Sequence, residues 1–201
     1  MKSIILAAGF ATRLYPLTLN KPKHLLEIEN KPIISYIVEK IREISNDEIF
    51  VITNNVFFKD FAEWKEKIGD KNMNVINDGV SFPEKKLGAI GDLLFAIDKN
   101  SINDDLFVIC GDNFFSYSLK KPFGIFKKEK KDLSIFFDTH DLNESKRMGV
   151  ALVKNNLLYS FKEKPQFPKS TICSASTYFF RKETSFSIFP PFEIYYLYFA
   201  F

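Results

Sequence analysis

Two cysteines, two histidines and a single tryptophan in 201 residues leave several kinds of chemistry without materials. Cys110 and Cys173 are too few and too far apart for a disulfide framework or a zinc site, so both read as reduced, buried thiols. His24 and His140 have no serine or cysteine arrangement around them, and a nucleophilic triad finds no support. His24, next to Lys23, is expected to line a site; His140 is expected to end a strand in solvent. No stretch of 18 apolar residues appears, and the N-terminus lacks the n-region, h-region and cleavage site of a secretion signal. No membrane span is therefore expected, and a cytoplasmic location follows. An excess of one charge is missing too: 28 Lys and Arg face 25 Asp and Glu, a mild +3. With no interleaved basic–aromatic motif, nucleic acid is not an expected partner.

What is present is the material of a globular α/β protein. Apolar residues make up 46 % and charged residues 26 % of the chain, and the length suits one domain with or without an appendage. Ile4–Ala7, Ile49–Thr53, Val75–Asn77, Leu106–Cys110 and Leu133–Phe137 are short and β-branched or aromatic, as strands buried on both faces should be. Between them apolar residues recur at helical spacing: Ile33, Ile34, Ile37, Val38, Ile41 and Ile44; then Phe57, Phe58, Phe61 and Trp64; then Ala89, Ile90, Leu93, Leu94 and Ile97. This alternation predicts an open, mostly parallel, Rossmann-like sheet flanked by helices. From about Gly149 the pattern turns β-rich (GVALV, LLYSF, STYFF), which predicts an added sheet closing over part of a site.

Chemistry concentrates in the first 26 residues. An apolar strand runs into a loop of small residues (Ala8, Gly9, Ala11, Thr12), followed by Arg13 and Lys23. Small residues let backbone N–H groups approach an anion, and the cations neutralise it. The pattern is a polyphosphate cradle of neither common kind. It lacks the Gly-Lys-Ser/Thr ending of a P-loop and the third glycine of a dinucleotide fingerprint. Asp112, in the run Val108-Ile-Cys-Gly-Asp-Asn113, also follows a strand, so both features belong to one crevice at strand C-terminal ends. As isolated residues, Arg13 and Lys23 would be ordinary surface cations, and Asp112 an ordinary turn residue.

The ordered string LAAGFATRLYPLT…KPKHLL resembles the signature of the sugar-1-phosphate nucleotidylyltransferases, with Ala11 where glycine is more usual. The resemblance covers residues 1 to about 184. It implies transfer of a nucleotidyl group from an NTP, dTTP or UTP first, to a sugar 1-phosphate, glucose 1-phosphate first, with loss of pyrophosphate. Arg13 and Lys23 would be the catalytic cations, Arg13 on the β/γ-phosphates and Lys23 near the α-phosphate. Leu6, Ala8, Gly9, Ala11, Thr12, Gly88 and Asp112 would bind the nucleotide, with Gly88 under the base; Gly88 equally suits a helix cap. Asp112 would hold Mg²⁺. The family uses a second aspartate for the metal, from a segment this chain does not reach. Gly149, Glu163 and Lys164 would hold the sugar phosphate. Tyr178 matches a sugar-contacting tyrosine and reads equally well as a core aromatic. Asp92 reads as an acid favoured by its helix dipole. Because family members are often dimers or tetramers, a homo-oligomer stays open.

The expected organisation is a nucleotidyltransferase domain over 1–184, with a nucleotide-binding part (1–140) and a sugar-phosphate part (141–184). Residues 185–201, half aromatic and without clear helical or strand period, form an atypical tail that suggests truncation or a shifted frame. A short natural variant is the other expectation for it. The alternative function is a non-catalytic nucleotide- or nucleotide-sugar-binding subunit, or an inactive truncated copy.

Overall fold

The structure is a computed structural model; it describes residues 1–155, 157–185 and 195–199, with residues 185 and 195–199 described by backbone alone. The chain divides into two compact units, one of Met1–Asp104 with Val108–Phe115, the other of Asp105–Phe107 with Ser116–Phe201.

The first unit contains, in chain order, β1 (Lys2–Leu6), the short strands β2 (Glu27–Ile28) and β3 (Lys31–Pro32), α1 (Ile33–Arg42), β4 (Ile49–Thr53), α2 (Phe58–Ile68), β5 (Met73–Asn77) and α3 (Gly88–Lys99). The end of β6 (Leu106–Cys110) belongs here and its start to the second unit. Strands run in the order β5-β4-β1-β6, with β1–β4 and β4–β5 parallel. Every residue of β4 is buried, which explains why its sequence is a continuous apolar run and not an alternation. The α1 stripe behaves as its spacing predicts: Ile34, Ile37, Val38 and Ile41 are buried, each side chain contributing about 1.5–3 kcal/mol. On α2, Phe61 and Trp64 pack edge to face, and the Trp64 indole N–H donates to the buried Ser35 hydroxyl at 2.9 Å.

Helix α3 departs from expectation. Ala89, Ile90 and Leu94, placed by spacing on a buried face, are exposed, while Asp92, Ala96 and Ile97 are buried. A carboxyl has taken a core position, and its partner is described below.

The second unit contains α4 (Lys120–Glu129), β7 (Asp132–Asp138), the one-turn helix α5 (Leu142–Ser145), β8 (Gly149–Lys154), β9 (Leu157–Glu163), β10 (Ile172–Phe180), α6 (Lys182–Ser185) and β11 (Tyr195–Phe199). Its strands lie in the order β10-β7-β11-β9-β8. β10 pairs antiparallel with β7, β11 parallel with β7, and β8 with β9 as an antiparallel pair. Phe107, Phe126 and Phe179 form an aromatic core, with ring centroids 4.7 and 5.4 Å from Phe179. Asp105 accepts from Arg181 at 3.0 Å and from Lys127 at 3.2 Å. Each unit layers helices on strands, with parallel pairing in the first and mixed pairing in the second, so the fold is α/β, as predicted.

Part of the aromatic tail is described. Residues 195–199 are a strand, although a uniform run such as YYLYF carries no alternation to announce one. The rest of the tail, 186–194 and 200–201, lies outside the described residues. No helix among the described residues is long and apolar enough to cross a membrane.

Candidate functional site

In the first unit the small-residue loop leaves the C-terminal end of β1 under firm control. The Ala7 N–H donates to Ile52 at 2.9 Å, and the Ala8 carbonyl accepts from the fully buried Asn54 side chain at 3.0 Å. Asn54 in turn accepts from the Phe57 N–H at 3.1 Å, tying the loop to the entry of α2. Gly9 is exposed, and a Cβ built on it would meet nothing within 4 Å. Ala11 adopts the left-handed conformation, φ 50° and ψ 37°. This is the physical reason glycine suits the position, and the small-for-small view from sequence missed it. Its carbonyl accepts from Leu14 N–H at 2.9 Å and from the Thr18 hydroxyl at 2.8 Å, with Thr18 completely buried. Thr12 and Arg13 stand exposed on the following 3-10 turn, and among the described residues Arg13 has no ion pair.

Lys23 and Asp112, 89 positions apart in sequence, form a direct ion pair. Partial burial pushes the Asp112 carboxyl up, but the hydrogen bond and charge of Lys23 outweigh it and hold the group below the usual carboxylate range. Gly111 brings the strand end in close. A Cβ there would lie 3.1 Å from His24 Cδ2 and Ile5 Cγ2 and 3.2 Å from Ala7 Cβ, so the glycine serves packing at the strand end, where the Asn113 N–H turns back to the Cys110 carbonyl at 3.2 Å. His24 does not line a site. It is buried beneath Gly111, its ring centroid 5.9 Å from that of Phe61, and burial together with the charge of Lys23 pushes its pKa down to about 3.

Gly88 opens α3 with φ +78°, so helix-start geometry alone accounts for glycine, and the space above it is open. Asp92 is the acid buried in place of an apolar residue. It is hydrogen bonded to Asp78, and burial, then the Asp78 charge, pushes its pKa up to about 7. A carboxyl with that pKa keeps its proton over most of the acid range and can donate it to its neighbour, a feature the sequence reading did not foresee. Asp78 also accepts from the Val80 N–H at 2.7 Å.

In the second unit a cavity of about 220 Å³ is lined by Gly149, Glu163, Lys164 and Tyr178, all four residues expected to hold a sugar phosphate. Gly149 and Glu163 are direct partners across β8 and β9, and the Lys164 N–H donates to the Met148 carbonyl at 2.9 Å. A Cβ on Gly149 would come within 2.3 Å of Phe161 Cζ, so only glycine fits. Lys164 turns out of the strand with φ 44° and pairs with Glu163 at 3.0 Å. Tyr178 is half-buried and is no core residue; its hydroxyl lies 3.2 Å from Ser174 Oγ. Between them a bulge in β10 gives Ser176 a positive φ of 47° and turns it toward the cavity wall. Arg147, Met148, Phe161, Ser174 and Ser176 complete the lining, and of these Arg147, Ser174 and Ser176 were not foreseen. Arg147 and Ser176 each stood two residues before a singled-out residue, Gly149 and Tyr178. His140, beyond β7, is exposed as expected, 3.4 Å from Asp138.

Residues 2–189 match the family model described as nucleotidyl transferase. The bifunctional protein GlmU of Methanocaldococcus jannaschii is 32 % identical over 186 residues, which cover 91 % of this chain and 40 % of that protein. Mannose-1-phosphate guanylyltransferase 1 of Arabidopsis thaliana is 30 % identical over 188 residues, covering 89 % of this chain and 49 % of the relative. The chain thus spans about half the length of these relatives or less. A Bacillus anthracis structure that carries the provisional name glucose-1-phosphate thymidylyltransferase, in complex with a sucrose, superposes with a TM-score of 0.85 at 24 % identity, over 100 % of this chain and 87 % of that one. At that identity the likeness speaks for the fold. The family match, nearly the length of the chain, settles kinship: this chain belongs to the nucleotidyl transferase family.

Proposed function

We propose that the chain transfers a nucleotidyl group from a nucleoside triphosphate to a sugar 1-phosphate, giving a nucleotide sugar and pyrophosphate. The observation that carries this is the second-unit cavity, where a glycine without room for a Cβ, a carboxylate, an ammonium and a tyrosine hydroxyl stand together. These are the groups needed to seat a hexose and its phosphate.

A phosphate oxygen of the sugar 1-phosphate attacks the α-phosphorus in line. The new O–P bond forms as the bond to the β-phosphate oxygen breaks, and pyrophosphate leaves. The attacking oxygen is already anionic, so no protein base is required, and positioning with charge stabilisation does the work. Arg13, on its exposed turn and with no ion pair among the described residues, holds the departing β/γ-phosphates with its planar fork. Lys23 places a point charge at the α-phosphate. Leu6, Ala8, Gly9, Ala11 and Thr12 frame the triphosphate, Gly88 leaves room for the base, and Glu163, Lys164 and Tyr178 orient the sugar phosphate over Gly149.

Asp112 fits Mg²⁺ as a single protein ligand, being an ionised, partly exposed carboxylate. Mg²⁺ commonly takes only one or two protein carboxylates, keeping several waters and binding phosphate oxygens. When bound, Mg²⁺ would neutralise phosphate charge.

For the substrate pair we infer dTTP or UTP with glucose 1-phosphate. A second pair, GTP with mannose 1-phosphate, is favoured by the relatives named mannose-1-phosphate guanylyltransferase. Pyrophosphate release from dTTP, UTP, GTP and ATP, each with glucose 1-phosphate or mannose 1-phosphate and Mg²⁺, decides between them. The expected result is turnover with one pair, and a loss of at least about 100-fold in Arg13→Ala with unchanged circular dichroism. Activity within a few fold of wild type in that variant would remove Arg13 from its role. A chain that binds both ligands without turnover is the non-catalytic subunit instead.

A further inference from the structure

The second-unit cavity holds two cations, and their circumstances differ. Lys164 is already matched: its ammonium lies 3.0 Å from Glu163 Oε1. Arg147 lines the same cavity and is exposed, and among the described residues its side chain has no ion pair and no hydrogen-bond partner. The charge of the cavity that nothing neutralises is therefore the guanidinium.

Arg147 is also held in place by its backbone. Its N–H donates to the Glu144 carbonyl at 3.1 Å, and the next N–H, of Met148, donates to Ser145 at 3.1 Å. Ser145 is fully buried, with its hydroxyl 2.8 Å from the Asp141 carbonyl and 2.8 Å from Thr139 Oγ1. On the other side, the Met148 carbonyl receives Lys164 N–H, and Gly149 is in register with Glu163. The segments carrying Arg147 and Lys164 are thus fastened to each other at the adjacent residue.

Charge then decides what the cavity can hold. A phosphate seated on Lys164 alone would face the Glu163 carboxylate, and like charges at such range repel. A second, uncompensated cation offsets that repulsion, and a guanidinium presents two parallel donors to two phosphate oxygens. Glu163 and the hydroxyls of Ser174 and Tyr178 are then left to face a neutral, hydroxyl-bearing body. We propose that Arg147 is a substrate-binding residue whose guanidinium holds the phosphate of the sugar substrate together with Lys164, and that its charge makes the cavity prefer a phosphorylated sugar to the free one. This rests on the assignment of the cavity to the sugar 1-phosphate.

The test is equilibrium binding to the full 201-residue chain of glucose 1-phosphate, mannose 1-phosphate, free glucose, and UTP and GTP, comparing wild type with R147Q and R147K. The expected result is wild-type binding of one sugar phosphate well above free glucose. R147Q should weaken that binding by about tenfold or more while triphosphate binding stays within about twofold, and R147K should recover most of the loss. Unchanged sugar-phosphate binding in R147Q overturns the proposal and leaves the proposed function standing. Equal weakening of sugar phosphate and triphosphate overturns it too, as a general structural effect, and so does an R147K no better than R147Q. A wild-type chain that binds a triphosphate but neither sugar phosphate removes the cavity assignment and this inference with it.

Discussion

Two glycines, one in each unit, stand for two ways of making a site. A methyl group added at Gly9 would meet nothing within 4 Å, whereas one added at Gly149 would lie 2.3 Å from Phe161 Cζ and 2.9 Å from Glu163 Oε2. The small-residue loop of the first unit leaves the space over Gly9 open, as the proposed triphosphate cradle requires. In the second unit the space over β8 is closed by the chain's own Phe161 and Glu163, so the cavity keeps its shape only if Gly149 stays bare.

The sharpest way to break this comparison is to add the same methyl to both. Gly149→Ala should displace Phe161 and Glu163, weaken sugar-phosphate binding by about 100-fold and lower Tm by several degrees, in keeping with about 1–3 kcal/mol for an overpacked site. Gly9→Ala should leave Tm within about one degree and weaken only triphosphate binding, by about tenfold. Thermal melts and binding measurements on both variants check this. A Gly9→Ala chain that melts as early as Gly149→Ala would show that the loop, too, is closed by its own residues.

The same contrast separates what could be read in the sequence from what could not. Strand–helix alternation and the α1 stripe were legible because burial on both faces or on one stripe leaves its period in the chain. The residues lining the second-unit cavity, Gly149, Glu163, Lys164 and Tyr178, were legible only through resemblance to a family. A charged turn before a proline has no period. Ser174 and Ser176 were not legible at all, since a bulge in β10 brings them to the wall and bulges leave no fixed spacing. Helix α3 misled because its spacing was apolar on one face while Asp78, in the loop that precedes the helix, supplied a hydrogen-bond partner for the buried Asp92.

That carboxyl pair gives a smaller, pH-dependent test within the first unit. Burial and the Asp78 charge raise the Asp92 pKa to about 7 from an ordinary 3.8. Between those values the folded chain keeps a proton that the unfolded chain releases, so stability falls as pH rises through the window and the loss is complete above about 7. Burial pushes Asp78 up as well, although its hydrogen bonds with the Val80 N–H and Asp92 oppose the shift. Denaturant unfolding from pH 4 to pH 8 should show a decline of about 1–3 kcal/mol. Asp92→Asn keeps a donor toward Asp78 without a titrating proton and should flatten most of that slope. A slope of wild-type size in the variant would place the titration elsewhere.

The smallest effect belongs to the loop itself. Ala11 holds φ 50°, a conformation that costs an L-residue about 1–2 kcal/mol, and Thr18 pins it there by donating to the Ala11 carbonyl. Ala11→Gly removes the strain but adds about 0.5–1 kcal/mol of backbone entropy to the unfolded chain. The balance should be a stabilisation of about 0.5 kcal/mol, or one to three degrees in Tm. Thr18→Val should act in the opposite direction by about 1 kcal/mol, since the Ala11 carbonyl would keep only its bond from Leu14. If Ala11→Gly proved destabilising while Thr18→Val stayed neutral, the left-handed turn would not be what shapes the small-residue loop. The space above Gly9 would then have to be held open by the Asn54 bond to Ala8 alone.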